Sequence, residues 1–321
     1  MWESELLSTL FEFEHTLKPL ENELEAIRRH ASNGASQEQV DRVQAAIDAE
    51  LRGIYSNLSP WQKVQVARHR ERPYTLDYLQ WAFSDFVELR GDRGYADDRA
   101  IVGGPAMLDG RSMMVIGHQK GRDTRENVER NFGMPHPEGY RKAERLMRQA
   151  ERLKMPVVTF VDTPGANAGL ADEERGQAEA IASSISVMLR LRVPTVSVVI
   201  GEGGSGGALA VACADRLLML EHATFTVASP EAAAAILWRD SAKASDAAKH
   251  MRITAQELQE LRLVDRIIPE PLGGAHRDPA TAAKSVAAAV QETLAELERL
   301  SASDLIDTRY HKYRDLDFFH E

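Results

Sequence analysis

The sequence has a single cysteine, Cys213, among 321 residues. One thiol excludes an internal disulfide framework and a cysteine zinc site, and it suits a reducing, cytoplasmic setting. Long apolar runs are missing as well. None approaches the roughly eighteen residues that a membrane-spanning helix needs. Residues 1–19 carry too many acidic side chains for a secretory or organellar targeting peptide. Positive charge is in deficit: 39 Lys and Arg stand against 49 Asp and Glu, a net charge of −10. That argues against general nucleic-acid affinity, although a local basic patch remains compatible with phosphate binding. The remaining composition, 43% hydrophobic and 27% charged, is that of a soluble globular chain able to bury a core unaided.

The N-terminal part is patterned for helix. Leu6, Leu10, Phe13, Leu17, Leu20, Leu24 and Ile27 step alternately by four and three, which places them on one stripe. Pro19 either breaks this run or opens a second helix. Ser32-Asn33-Gly34 signals a turn, and Val40, Val43, Ile47, Leu51 and Ile54 form a second stripe. A helical hairpin is therefore expected over residues 1–58, packed on its own domain or gripping a partner subunit. Short helices are expected near Trp61 and from Thr75, the latter ended by Gly91-Asp92-Arg93-Gly94. Asp109-Gly110 predicts a β-hairpin between strands 101–108 and 112–117. Helices are then expected at 139–153, 173–191, 205–213, 230–238 and 280–300, with strands at 157–161, 195–200, 217–220 and 224–227. Such alternation predicts an α/β layered domain over residues 59–300. Residues 301–321 are expected to form a polar, aromatic tail that docks on a neighbour.

Most of the chemistry lies in Ile200-Gly201-Glu202-Gly203-Gly204-Ser205-Gly206-Gly207-Ala208, which runs from an apolar strand into a helix. Gly201, Gly203 and Gly206 match the G-x-G-x-x-G of dinucleotide-binding proteins, with Glu221 about twenty residues on, where a ribose carboxylate belongs. Against this, the helix is short and the loop lies deep in the chain. Gly203, Ser205 and Gly207 match the G-x-S-x-G elbow of serine hydrolases. Asp246 with His250, or Asp265 with His276, would supply the later acid and histidine. A P-loop is excluded, because Gly207 stands where its lysine belongs. A third reading uses the backbone alone. Successive glycines at a helix start leave N–H groups free and admit a ligand closely, and the helix dipole adds positive character. Such a turn stabilises an enolate or a tetrahedral oxyanion. A tight helix–strand contact that needs no side chain would explain the same glycines.

Two further candidates accompany this loop. Asp162-Thr163-Pro164-Gly165-Ala166-Asn167-Ala168-Gly169 follows the preceding strand, either as an amide-lined edge or as an ordinary connection. Gly117-His118-Gln119-Lys120-Gly121-Arg122, continued by Arg125, Arg130, Arg141, Lys142, Arg145 and Arg148, suits a carboxylate or coenzyme phosphates. Paired with Glu126, Glu129 and Glu144, it is equally a solvated helix face. His118 is a candidate acid or base, or a structural histidine.

Several motifs are specific in combination. They are Arg130-Asn131-Phe132-Gly133-Met134-Pro135, Pro137-Glu138-Gly139-Tyr140-Arg141-Lys142, Asp162-Thr163-Pro164-Gly165-Ala166, Glu173-Glu174-Arg175-Gly176-Gln177, Ser229-Pro230-Glu231 and Pro269-Glu270-Pro271-Leu272-Gly273-Gly274-Ala275-His276. With the glycine loop and the leading helices, they resemble the α subunit of the bacterial multi-subunit acetyl-CoA carboxylase carboxyltransferase, in order and over nearly the whole chain. The resemblance implies a crotonase-like (ClpP/crotonase) α/β spiral of ββα units with oxyanion holes at helix starts. It implies transfer of a carboxyl group from carboxybiotin, held by the biotin carboxyl carrier protein, to acetyl-CoA, giving malonyl-CoA for fatty acid biosynthesis. The implied partners are biotin carboxylase, the carrier protein and a β subunit in an α2β2 assembly. Zinc would lie in the β subunit and no metal in this chain. Carried over residue by residue, Gly206 and Gly207 would donate N–H groups to the biotin ureido oxygen. Gly203 and Gly204 would shape the loop, and Gly165 and Ala166 would border the pocket. The sequence departs from the family at Asn167-Ala168, where Tyr-Pro is common, at Ala178 for a serine, and at Ala232-Ala233-Ala234 for Gly-Cys-Ala. The first departure removes a tyrosine expected near the biotin pocket, and the last argues against a cysteine role there.

Overall fold

The computed structural model describes residues 10–30 and 37–316. Leu6 of the first stripe and the turn expected at Ser32-Asn33-Gly34 lie outside them. A 3-10 turn over Glu12–Leu17 leads into α1 (Lys18–His30), with Pro19 in its first turn, where a missing N–H costs no bond. α2 (Gln37–Tyr55) lays Val43, Ile47 and Leu51 against Leu17 and Leu24. Tyr55 donates to Glu14 at 2.9 Å within this unit, and Arg277 ties it to the body, reaching Glu14 and Glu21 at 3.1 Å each. Two short helices follow, α3 (Pro60–Ala67) and α4 (Thr75–Ala82).

β1 (Ile101–Leu108) and β2 (Arg111–His118) pair antiparallel across Asp109-Gly110. Both turn residues have positive φ, 49° and 75°, as a two-residue hairpin turn of matching twist requires. The chain continues through α5 (Thr124–Glu129), α6 (Pro137–Leu153), β3 (Val157–Thr163), α7 (Leu170–Glu174), α8 (Gln177–Arg190), β4 (Thr195–Gly204), α9 (Ser205–Leu209), β5 (Arg216–Leu220) and β6 (Thr224–Thr226). It ends with α10 (Pro230–Trp238), α11 (Ala244–Met251), α12 (Ala255–Glu260), β7 (Arg266–Ile268), α13 (Pro279–Leu297) and α14 (Ala302–Arg314). The strand order is β1-β2-β3-β4-β5-β7, with β6 pairing the far end of β4. From β2 onward neighbours are parallel. Every residue of β3 is buried, which is why a mostly apolar run, not an alternating one, makes this strand.

Several elements differ from the sequence expectation: the helix from Thr75 ends at Ala82, short of Gly91, and the strand from Thr195 runs on to Gly204. The helix expected over 205–213 stops at Leu209 because side chains take the next carbonyls: Ser184 Oγ donates to Ala210 O at 2.6 Å, while Thr159 Oγ1 and Ser197 Oγ donate to Val211 O at 2.6 and 3.0 Å. The helix expected over 173–191 is cut at Arg175-Gly176, where Arg175 is pinned to Glu138 at 2.7 Å. Residues 302–314 form a helix that buries Arg309 against the chain's own sheet.

Candidate active site

β3 and β4 are adjacent and parallel, so their carboxyl ends bring residues 164–169 and 201–207 side by side, the usual position of a ligand crevice in such sheets. The ladder slips between Val161 and Thr163, and the freed Asp162 carboxylate accepts the Glu202 N–H at 3.0 Å. The end of β4 is fixed from several sides. Arg72 Nε donates to Ile200 O at 2.7 Å while its other nitrogens grip Glu270 at 2.8 and 2.6 Å. Lys120 bridges Asp162 at 2.7 Å and Glu202 at 3.1 Å, and Arg68 joins Glu202 to Glu231. Burial opposes the charge on Lys120, but Asp162 and Glu202 outweigh it and keep the ammonium protonated. Burial likewise raises Glu202, and Lys120 with Arg68 brings it below the ordinary carboxylate range.

The glycines differ in what they touch. A Cβ on Gly203 would lie 2.1 Å from the Phe225 ring, and one on Gly204 2.1 Å from Pro164 O. One on Gly207 would meet Ala166 N at 2.4 Å and the Tyr140 hydroxyl at 2.8 Å. Close packing alone therefore demands glycine at 203, 204 and 207, and it joins the two loops. Gly206 is different. A Cβ there would meet only Ile181, at 3.6 Å, an ordinary contact. The fold leaves room for a methyl group at 206, and the sequence supplies none. The amides of Gly206 and Gly207 lie in the first turn of α9, where no intrahelical acceptor exists. Such a pair, in a walled crevice, is chemically an anion or oxyanion holder.

The remaining sequence candidates fall away from this point. His118 is fully buried, its Nδ1 accepts the Asp162 N–H at 3.4 Å, and burial holds its pKa down at about 3, so it stays neutral and is no acid or base near neutrality. Among the described residues no hydrogen bond reaches the Ser205 hydroxyl. Asp246 pairs with Lys249, Asp265 with Lys312, and His276 stacks on His69, so neither triad forms. Glu221 accepts the Glu270 N–H at 3.3 Å, and α9 is too short for a dinucleotide fold. The basic stretch is used internally: Arg122 pairs with Asp77, Lys142 with Asp97, Arg148 with Glu144, and Arg145 donates to Leu89 O and Gly91 O. Asn167, in place of the family's tyrosine, bonds Asp172, and its N–H donates to Pro135 O at 3.0 Å. Sequence reasoning missed the Lys120–Asp162–Glu202–Arg68 ladder, because its members are far apart in the chain; only the strand order brings them together. Among the described residues no helix is long and apolar enough to cross a membrane, and no group of three or more His, Cys, Asp or Glu side chains is gathered for a metal ion.

Comparison with known proteins identifies the family and the fold. Residues 10–317 match the family described as acetyl co-enzyme A carboxylase carboxyltransferase-like. The acetyl-coenzyme A carboxylase carboxyl transferase subunit alpha of Geobacter metallireducens is 54% identical over 311 residues, 97% of this chain and 98% of that protein. The protein of the same name from Heliobacterium modesticaldum is 59% identical over 263 residues, 82% of this chain and 78% of its own length. Among solved structures, a Pseudomonas malonate decarboxylase hetero-tetramer in complex with coenzyme A superposes with a TM-score of 0.60 at 19% identity, covering 73% of this chain and 91% of that one. A transcarboxylase 12S chain gives 0.54 at 21% identity, covering 71% and 45%. These structural likenesses show the fold, the crotonase-like arrangement.

Proposed function

The chain belongs to the acetyl-CoA carboxylase carboxyltransferase α-subunit family, and on that premise we propose that its glycine turn holds the ureido oxygen of biotin while a carboxyl group passes to acetyl-CoA. The activity is that of a transferase making malonyl-CoA for fatty acid biosynthesis. Bound carboxybiotin supplies a carboxyl group activated on a ureido nitrogen. The N–H groups of Gly206 and Gly207 would hold the ureido oxygen, on which negative charge grows as that group departs. Their hydrogen bonds strengthen along the reaction, so they lower the barrier and do not merely bind. Gly203 and Gly204 set the path of the turn, and Gly165 and Ala166 wall it on one side. Arg72, Asp162 and Lys120 hold the strand end still, so the donors need no reorganisation when charge appears.

This reading includes a β subunit in an α2β2 assembly, carrying zinc and acetyl-CoA, together with the biotin carboxyl carrier protein and biotin carboxylase, in the cytoplasm. Residues 1–58 are proposed as a subunit contact. The exposed run Ile236-Leu237-Trp238 supports a partner surface on α10.

One observation carries the reading: residue 206 is glycine although its surroundings would admit a methyl group. The test is biotin-dependent malonyl-CoA decarboxylation by this chain mixed with the matching β subunit. Gly206→Val is expected to cut kcat by roughly a hundredfold or more. Wild-type turnover in a folded, assembled Gly206→Val protein would overturn the assignment.

A further inference from the structure

The loop proposed to hold a negative oxygen carries a carboxylate in its own sequence. Glu202 stands between Gly201 and Gly203, two residues before Gly204, which caps the start of α9. A like charge beside a developing anion opposes it, and more strongly where little water screens the pair. The fold sets two cations against this carboxylate. Lys120 Nζ lies 3.1 Å from Glu202, but it also lies 2.7 Å from Asp162, so one ammonium faces two carboxylates. Arg68 supplies the second positive charge: its Nε donates to Glu202 Oε1 at 2.6 Å.

Arg68 is held in place by the elements around it. It caps the C-terminus of α3, where the helix dipole favours a cation. Its terminal nitrogens fork onto Glu231 in the first turn of α10. Arg68, Glu202, Gly204 and Pro164 line one small cavity, so the guanidinium borders the crevice between the two loops of the site. Lys120 and Arg68 together balance Asp162 and Glu202, and Arg72 and Glu270 balance each other behind them. Without Arg68, Lys120 alone would stand against two carboxylates. Glu231 matters less here, because its side chain is 38% exposed, against 14% for Glu202, and water screens it.

We propose that Arg68 is a positioning residue for carboxyl transfer: it holds the Glu202 carboxylate and cancels its charge, so that the loop does not repel the oxygen its amides are to stabilise. This inference rests on the function proposed above. It concerns charge, so a lysine at 68 should serve where an uncharged side chain does not. It also acts through Glu202, so removing the Glu202 charge should make Arg68 dispensable for turnover. A guanidinium that served only to tie α3 to α10 would show neither pattern.

The test is malonyl-CoA decarboxylation with biocytin, by the chain assembled on its β subunit. Biocytin enters uncharged, so its binding does not sense the extra carboxylate; charge on its ureido oxygen develops only on the way to product. Arg68→Met is therefore expected to lower kcat roughly tenfold while KM for biocytin stays within about twofold. Arg68→Lys should keep kcat within about threefold of wild type, and Arg68→Met/Glu202→Gln should regain most of what Arg68→Met loses. An unchanged kcat in Arg68→Met would overturn the proposal, as would a double variant no faster than Arg68→Met, or a lysine variant as slow as the methionine one. If Arg68→Met does not assemble on size-exclusion chromatography, the double variant decides, and turnover below about a tenth of wild type in its assembled form overturns the proposal. Gly206→Val in the same assay separates the two claims. Full turnover there means that the glycine-turn reading has failed. Abolished turnover there, with Arg68→Met silent, means that only the Arg68 assignment has failed.

Discussion

At the first residue of β4, the Thr195 N–H and hydroxyl donate to Asp215 Oδ2 at 2.7 and 2.8 Å, and Arg309 closes on the same carboxylate with two bonds of 2.8 Å. Arg309 also donates to Met188 O and Leu191 O at 2.9 Å, so its guanidinium is fully engaged. Toward the other end of the strand, Arg72 holds Ile200 O and Glu270 just as tightly. Beyond it, though, buried polar atoms are left over: Tyr140 Oη and Gln177 Oε1 have no hydrogen-bond partner among the described residues. Tyr140 lies against Gly207, and His118 against its backbone. One end of β4 is thus saturated and the other is not. The saturated end serves stability, and the unsaturated end carries the proposed site.

The sharpest break falls at the saturated end. Arg309→Met leaves Asp215 buried without its cation, and removing one member of such a pair costs about 3–5 kcal/mol. Denaturant midpoints should fall by that amount, while kcat of the protein that remains folded and assembled stays within twofold. A large fall in kcat with stability intact would erase the division between the two ends.

At the site end the corresponding effect is set by pH. Burial alone would raise the Glu270 pKa, but Arg72 outweighs it and holds the group at about 2, below its ordinary 4.5. A carboxylate depressed in the folded state stabilises above its unfolded pKa, and that contribution disappears as pH falls toward the folded one. The wild type should therefore lose up to about 3 kcal/mol from this group between pH 5 and pH 2. Glu270→Gln should be less stable at pH 7 and show a flatter decline below pH 4.5. An equal slope in both proteins, measured by denaturant titration, would remove Glu270 from the acid response.

The same contrast explains what was legible from sequence. The β-hairpin was readable at Asp109-Gly110, because a two-residue turn is a local matter. The glycine loop stood out because it joins an apolar run to small residues, and its place at a strand end is where the structure has it. The end of α9 was not readable: Ser184, Thr159 and Ser197 reach it from other elements. The ladder around Glu202 and the Arg309 clamp were hidden for the same reason, since each joins residues brought together only by the sheet. Spacing alone also left open whether the glycines were needed for packing or for ligand, because both demand the same residue.

That last ambiguity is the smallest effect and the finest test. Packing requires glycine at 207, where a methyl group would meet Ala166 N and Gly165 C at 2.4 and 2.7 Å, both backbone atoms with little freedom to move. Gly207→Ala should therefore destabilise the protein by about 1–3 kcal/mol through overpacking. Gly206→Ala should change stability by no more than about 0.5 kcal/mol, since its methyl group finds an ordinary contact with Ile181 and Ala loses less backbone entropy than Gly. Thermal unfolding of the two variants side by side measures the difference. If both are equally destabilised, residue 206 is glycine for packing after all, and the opening left for a ligand oxygen loses its physical basis.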